Sequence, residues 1–450
     1  MSHALVILAA GMGTRMKSDL PKVLHKIGGL PLVGHALLSG QAAGADRALV
    51  VVGHGGERVG KAVQALDETA VLVTQEEQLG TGHAVGCAAG ELADFEGDVT
   101  VLYGDTPFVR PETLERMAEA RGTHDVVVLG FHAEDPARYG RLVMDGDHLA
   151  KIVEFKDASE AERAIAFCNS GVMRAPARLM FELIASLDNN NASGEIYLTD
   201  IVAKANERGL SATAVACDEA ETLGVDSREA LARAEALFQN DRRSEALENG
   251  VTLTAPETVY FSYDTYLGRD VEVEPNVVFG PGVTVETGAT IRAFSHIEGA
   301  HVGAGSVVGP YARLRPGAEL SNDAKIGNFV EIKNAIIGEG SKVNHLSYVG
   351  DATLGDRVNI GAGTITCNYD GVMKHKTEIG NDVFVGSDTL LVAPVRLGDR
   401  SMTASGTVVT KDVPENALAI GRAKQENKAE FAVRLFEKLR AIKAKKNKDN

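Results

Sequence analysis

From Val302 to Lys333 the chain reads VGAGSVVGPYARLRPGAELSNDAKIGNFVEIK. Aliphatic side chains fall at Val302, Val308, Leu314, Leu320, Ile326 and Ile332, a step of six residues. That step matches neither the 3.6-residue period of a helix nor the two-residue alternation of a strand. It fits a parallel β-helix, in which each hexapeptide forms one flat face and three faces close a coil of ~18 residues. The aliphatic side chain of each hexapeptide points inward and stacks on its counterparts above and below, while glycine and small polar residues turn the corners. Upstream the step runs through Val273, Phe279, Val285, Ile291 and Ile297. Downstream it resets and continues through Ile337, Val343, Val349, Leu354 and Ile360, then resumes at Ile379, Val385, Leu391 and Leu397. The interruption, TCNYDGVMKHKTE at Thr366–Glu378, predicts a loop that leaves the coil, a common place for function on a rigid repeat scaffold. Arg315 and Lys333 are one such coil apart, which predicts two cations on one face of successive coils.

The first 220 or so residues follow another rule. ALVILAA, ALVVVG, AVLVTQ, VTVLYGD and DVVVLGF are short apolar runs rich in β-branched residues. Segments with helical spacing, such as GHALLSGQAAGA and RPETLERMAEARG, lie between them. Runs with little alternation, separated by helices, predict a mainly parallel sheet covered on both faces. SREALARAEALFQNDRRSEALEN, beginning at Ser227, predicts a connecting helix. The expected organisation is therefore an α/β domain over 1–226, a linker helix over 227–249, a β-helix over 250–424, and a C-terminal helix or tail with a basic end over 425–450.

Composition narrows the partners. The chain has 450 residues, is 44% hydrophobic and 24% charged, and carries a net charge of −16. That balance suits a soluble protein and disfavours a nucleic-acid partner. No apolar stretch approaches the ~20 residues of a membrane span, and the N-terminus lacks the features of a signal peptide. Cys87, Cys168, Cys217 and Cys367 are widely spaced without metal-ligand spacing, as expected of free thiols in the cytoplasm.

The stretch LVILAAGMGTRM, Leu5–Met16, carries the first chemistry. A strand ending at Ala9–Ala10 delivers Gly11 and Gly13 to the crevice beyond the carboxyl edge of the sheet. There, glycine backbone N–H groups can approach phosphate oxygens, Thr14 adds a hydroxyl, and Arg15 adds a guanidinium fork. Lys22 follows on a segment stiffened by Pro21. The spacing is neither that of a P-loop nor that of the dinucleotide fingerprint. Asp105, closing VTVLYGD, would present a carboxylate to the same crevice.

These motifs, in order, resemble the signature of sugar-1-phosphate nucleotidyltransferases. EQLGTGHA (Glu77–Ala84) is similar to their base-reading loop and LYGDTP (Leu102–Pro107) to their metal-bearing strand end. YGR (Tyr139–Arg141), VEFKDA (Val153–Ala158) and CNSGV (Cys168–Val172) are similar to their sugar-side motifs. Together with the hexapeptide half and TCNYDG, nearly the whole chain resembles the family of bifunctional UDP-N-acetylglucosamine pyrophosphorylases and glucosamine-1-phosphate N-acetyltransferases. The resemblance implies a Rossmann-like nucleotidyltransferase domain and a left-handed β-helix that associates as a homotrimer. It implies UTP, N-acetylglucosamine-1-phosphate, glucosamine-1-phosphate and acetyl-CoA as substrates, with Mg2+ as cofactor. For nucleotidyl transfer it implies Arg15 and Lys22 as catalytic cations and Asp105 and Asp226 as metal ligands. Leu8, Ala9, Gly11, Gly13, Gln75, Gly80, Thr81, Tyr103 and Gly104 would line the nucleotide site, and Gly140, Glu154 and Asn169 the sugar site. At position 226 the family carries asparagine, so this chain departs by one negative charge. Asp226 could also cap the helix that begins near Ser227.

For acetyl transfer the resemblance implies His345 as general base, a role its near-neutral reference pKa suits. Glu331, fourteen residues earlier, is a spacing compatible with an adjacent coil and could orient the imidazole. Arg315, Lys333 and Lys374 would hold phosphate, with Tyr348, Asn359, Asn368 and Tyr369 completing the sugar and thioester pocket. Ala362, Ser387, Ser405 and Arg422 would contact coenzyme A, as would Asn368, Tyr369 and Lys374. Ser405 stands where alanine is common, and Cys367 reads as a packing thiol. Two other readings are a nucleotidyltransferase with a regulatory or assembling β-helix and a sensor that binds nucleotide sugars without catalysis. The first does not need His345, Lys333 and TCNYDG; the second does not need Asp105 and Lys22.

Overall fold

The computed structural model describes residues 2–11, 13–53, 56–191 and 193–447. It divides into two compact units, one of residues 1–245 with 261–263, the other of 246–260 with 264–450. The last three residues of the expected tail, 448–450, lie outside the described residues. No helix among the described residues is long and apolar enough to cross a membrane.

The first unit is built on one twisted sheet. Its strands are β1 (Ser2–Ala9), β2 (Arg47–Val52), β3 (Val71–Thr74), β4 (Gly97–Tyr103), β5 (Val126–His132), β6 (Arg141–Asp145), β7 (His148–Val153), β8 (Phe167–Pro176) and β9 (Ala212–Cys217). The main order is β9-β5-β8-β4-β1-β2-β3, parallel except for β8, which runs antiparallel to both β4 and β5. The sequence reading did not anticipate that reversal or the β6–β7 hairpin that pairs with β8. The hairpin's signal was present: Asp145–Gly146, with Gly146 at φ 58, is a turn dipeptide between apolar runs. Helices cover both faces, so β1 and β4 hold five consecutive buried residues each, Ala4 aside from neighbours at the strand ends. Pro111 opens one of these helices (Pro111–Arg121) at its first turn and Arg121 lies in its last, each suited to the helix end it occupies.

At the far edge of this sheet from the crevice, His3 is 2% exposed, its Nε2 2.8 Å from the Thr100 hydroxyl oxygen. Burial, then the charge of Arg174, lowers its pKa to about 4, against opposing contributions from Asp98 and Asp46. The unfolded chain takes up this proton near 6.5 and the folded chain near 4. The neutral ring's contribution is therefore complete above pH 6.5 and is lost as the pH falls to 4, about 3 kcal/mol in all. Hydrogen exchange of the β1 and β4 amides should accelerate over that window, and His3→Gln should flatten the dependence.

The helix Arg228–Glu248 packs Ala234 and Phe238 with Ile27, Leu32 and Val225. Gln239, 2% exposed, exchanges two 2.8 Å hydrogen bonds with the backbone of Phe261, which explains why 261–263 belongs to the first unit.

In the second unit the six-residue step becomes a left-handed parallel β-helix of short strands. Val302 pairs in register with Leu320, Leu320 with Ile337, and Ile337 with Leu354, all buried. Coils of 18 residues therefore mix with coils of 17, as between Val308–Ile326 and Ile326–Val343. The reset after Ile332 is one shortened coil. Leu354 next pairs with Ile379, 25 residues on, and the surplus is the loop around residues 367–376. Each buried Val, Leu or Ile contributes roughly 1.5–3 kcal/mol by leaving water, which is how strands two or three residues long persist. The helix Phe431–Lys446 is exposed along its whole length.

Candidate functional site

In the first unit a cavity of about 270 Å³ opens beyond the carboxyl ends of β1 and β4. Leu8, Ala9, Gly11, Lys22, Gln75, Gly80, Thr81, Tyr103 and Asp105 line it, together with Gln78 and Glu195. Gly13 sits at φ 60, and a Cβ there would fall 2.5 Å from Cβ of Lys22, so only glycine lets the lysine cross the loop. Gly104 donates its N–H to the Leu8 carbonyl (2.9 Å), locking the ends of β4 and β1 together. Gln75 is 4% exposed; its amide nitrogen lies 3.2 Å from the Gly80 carbonyl and 3.0 Å from Nδ1 of His83. Thr81 accepts the N–H of Leu198 at 3.1 Å. Burial, then the charges of Asp105 and Glu154, pushes the Tyr103 phenol up, so it stays a neutral hydrogen-bonding group.

Gly140, Glu154 and Asn169 converge nearby. The Asn169 N–H donates to the Gly140 carbonyl (2.9 Å), and a Cβ on Gly140 would lie 3.3 Å from Oε1 of Glu154. Burial raises the Glu154 pKa, and the Thr199 hydroxyl, 3.5 Å away, opposes that rise.

The two acids expected to hold a metal lie on touching segments: the Val225 N–H donates to the Asp105 carbonyl at 2.9 Å. Each is paired with a cation, Asp105 with Lys22 and Asp226 with Arg15 at 2.6 Å. Two carboxylates beside a polyphosphate suit magnesium, which keeps phosphate and water ligands rather than an all-protein cage. Among the described residues no cluster of three potential metal ligands exists to form such a cage. The extra charge of Asp226 is thus met by Arg15. The capping alternative falls to Ser227, whose hydroxyl accepts the Ala230 N–H at 3.1 Å.

In the second unit His345 stands two residues past the buried Val343, at the edge of a coil face. The equivalent positions on successive coils are Asn328 before it and Ala362, Ser387 and Ser405 after it, a groove of small side chains down one edge. Arg422 closes that groove by donating to the Ser405 carbonyl at 2.7 Å. Asn359 lies in register between Lys342 and Phe384.

The expectation for Glu331 requires correction. The coil here advances by 17 residues, so the residue opposite His345 is Asn328, whose Oδ1 is 3.0 Å from Nδ1 of His345. Glu331 opens the next face, in register with Tyr348, and accepts from Arg315 at 2.7 Å.

Arg315 and Lys333 belong to adjacent, aligned coil positions. The Lys374 ammonium, followed by Arg315, pushes the Lys333 pKa below the ordinary lysine value, so three cations crowd one patch. Lys374 reaches it from the inserted loop, which is tightly organised. Asp370 accepts the N–H groups of Val372 (2.8 Å) and Met373 (2.7 Å) and Nε2 of His375 (2.7 Å). That pairing with His375 holds the Asp370 carboxyl well below the usual range. Asn368, 8% exposed, donates to Asp351 and lies 3.4 Å from the Tyr348 hydroxyl, while Tyr369 forms a bridge with Lys374. Burial raises the Cys367 thiol, in keeping with a packing residue.

Sequence reasoning missed Asn328, Gln78 and Glu195. Gln78 fell within a quoted motif; its amide donates to the Ala10 carbonyl at 2.7 Å. Glu195 arrives from a distant loop that pairs Ile196 with Leu79 and Gly82, and no local pattern announces it.

A glycine-lined crevice with paired cations and acids, followed by a hexapeptide β-helix, defines a nucleotidyltransferase with an acyltransferase-type coil attached. Residues 5–175 match the MobA-like NTP transferase domain family. A protein of Ruegeria pomeroyi named Bifunctional protein GlmU is 66% identical over 449 residues, covering 100% of both chains. Proteins of the same name from a second Ruegeria species and a Jannaschia species are 63% and 60% identical, over 100% and 99% of this chain and 100% and 98% of theirs. The chain belongs to the GlmU family. Among solved structures, a UDP-glucose pyrophosphorylase complexed with UDP-glucose shares 18% identity over 54% of this chain and 100% of that one, with a TM-score of 0.45, too slight a likeness to build on.

Proposed function

We propose that this chain catalyses two successive transfers at separate sites. Glucosamine-1-phosphate is acetylated by acetyl-CoA, and the N-acetylglucosamine-1-phosphate so formed is uridylylated by UTP, giving UDP-N-acetylglucosamine and pyrophosphate. The observation that carries this reading is that each unit holds its own phosphate-attracting cations beside its own reactive group. Arg15 and Lys22 stand with Asp105 in the first, and Arg315, Lys333 and Lys374 stand on the unit of His345.

In uridylyl transfer a sugar-phosphate oxygen attacks the α-phosphorus of UTP as the bond to pyrophosphate breaks. Two polyanions must meet, so neutralisation and alignment are the main tasks. Gln75, Gly80 and Thr81 orient the base, and Gly140, Glu154 and Asn169 hold the sugar. Arg15 and Lys22, now tied to Asp226 and Asp105, exchange those partners for the triphosphate. Magnesium, held by Asp105 and Asp226, supplies charge neutralisation on the phosphates when bound.

In acetyl transfer the amine attacks the thioester carbonyl, the C–S bond breaks, and coenzyme A leaves as thiolate. Asn328 accepts from Nδ1–H of His345, which leaves the Nε2 lone pair free to take the amine proton. Arg315, Lys333 and Lys374 hold the sugar phosphate. Tyr348, Asn359, Asn368 and Tyr369 enclose the reacting groups, and Ala362, Ser387, Ser405 and Arg422 seat coenzyme A. No covalent nucleophile is required. Asn328→Ala should slow acetylation ~10-fold, part of the ~10²–10⁴ a positioned base contributes. Nucleotidyl transfer should be unchanged in the same preparation.

The reading takes the working form as a homotrimer. Support comes from the exposed corner of the coil, where Phe294, Tyr311 and Phe329 stack at 4.9 and 5.3 Å between ring centroids, an apolar edge suited to burial between copies. It takes the cytoplasm as the site of action, supported by four unpaired cysteines. Incubation with glucosamine-1-phosphate, acetyl-CoA, UTP and magnesium, followed by mass spectrometry, tests the whole proposal. UDP-N-acetylglucosamine should appear and should require all three substrates; UDP-glucosamine as the sole product would contradict it.

A further inference from the structure

The first unit buries a guanidinium that the nucleotide chemistry does not use. Arg141 is 2% exposed, and no carboxylate among the described residues pairs with it. Its Nε and Nη2 each donate to the Arg163 carbonyl at 3.3 Å, and Nη2 also to the Ala137 carbonyl at 3.2 Å. Nη1 donates to the carbonyls of Pro136 (3.2 Å) and Tyr139. The guanidinium carbon lies 5.9 Å from the Phe155 ring centroid. A charge removed from water and met only by backbone carbonyls is costly, and a neutral side chain could tie down an ordinary surface loop more cheaply. What only the planar fork can do is fix several carbonyls at once, in set directions.

Those carbonyls belong to the segment that ends at Gly140. Ala137 within it has φ 35, in the region alanine avoids, so the segment is held in a shape it would not choose alone. Tyr139 is braced edge-on against Phe131 at 4.9 Å. Beyond them Gly140 fits between Glu154 and Asn169 with no room for a methyl group beside the carboxylate. β6 begins at Arg141 itself, pairing with Val153 on one side and Cys168 on the other, each adjacent to one of those two residues.

We infer that Arg141 is a positioning residue for the sugar-1-phosphate of the uridylyl transfer. It fixes the 136–139 segment so that Gly140, Glu154 and Asn169 form one wall, without touching the substrate. The inference rests on the reading that those three residues hold the sugar. It predicts a loss confined to one substrate, because the residues around UTP hang from β1, β4 and the Gly80–Thr81 loop.

The test is steady-state kinetics of pyrophosphate release by the full chain, with UTP and N-acetylglucosamine-1-phosphate varied separately. Arg141→Met should raise the KM for the sugar phosphate ~30-fold, within the range a displaced binding group can cost, while the KM for UTP stays within ~2-fold. Arg141→Lys, which keeps the charge but not the fork, should fall between. Ala137→Gly keeps the buried charge and loosens the same segment, and should raise the sugar KM ~3-fold. Acetyl transfer should be unchanged in all three. The inference is overturned if both KM values rise in proportion, or if the sugar KM is unchanged in Arg141→Met that still binds UTP by calorimetry. Should Arg141→Met fail to bind UTP, Ala137→Gly decides, and an unchanged sugar KM there overturns it. Glu154→Ala separates the underlying reading: if that change leaves the sugar KM intact, the sugar-site assignment falls and this inference falls with it.

Discussion

Asp105→Ala should lower uridylyl transfer by at least ~10³-fold, equivalent to the several kcal/mol a bound metal supplies to phosphate chemistry. Two losses combine. The strand end no longer offers a carboxylate where polyphosphate and cation meet, and Lys22 loses the partner that places it across Gly13. Asp105→Asn should be milder, since an oxygen ligand survives while the charge does not. Acetyl transfer should persist in both variants, because the change lies in a unit with its own core. Pyrophosphate release and acetyl-CoA consumption, measured on one preparation, check the expectation.

His345→Ala should do the reverse, lowering acetyl transfer ~10²–10⁴-fold with uridylyl transfer intact. The residual rate should rise with pH more steeply than in the wild type, since the amine must then lose its proton to water or hydroxide. The distinction from Asn328→Ala is one of degree: that variant keeps the base and loses only its orientation. A His345→Ala chain with normal acetylation would remove the base from the account, whatever the fate of Asn328.

Much of the architecture was legible because the deciding signals are local. A six-residue aliphatic step is a repeat any window detects, and it becomes the coil's inward stack from Val273 to Leu397. The glycine-rich turn at Leu5–Met16 and the strand end at Asp105 are equally local, and they meet in one crevice. What escaped depends on geometry that sequence does not carry. A coil of 17 rather than 18 residues is a difference of one position, yet it sets Asn328 opposite His345 and turns Glu331 toward Arg315. Arg141 stood within a quoted motif, but arginine is usually solvated, and nothing nearby in sequence says that this one is buried among carbonyls. Glu195 reaches the nucleotide cavity only because Ile196 pairs with Leu79 across 117 residues of chain.

The central claim is that two complete chemistries share one polypeptide and exchange a free intermediate. It is tested most directly by mixing purified Asp105→Ala and His345→Ala proteins with glucosamine-1-phosphate, acetyl-CoA, UTP and magnesium. Neither variant alone should make UDP-N-acetylglucosamine at an appreciable rate. The mixture should make it after a lag, as acetylated sugar phosphate from one protein is taken up by the other. A mixture as inactive as its parts, with both proteins folded and N-acetylglucosamine-1-phosphate absent from solution, would contradict the claim.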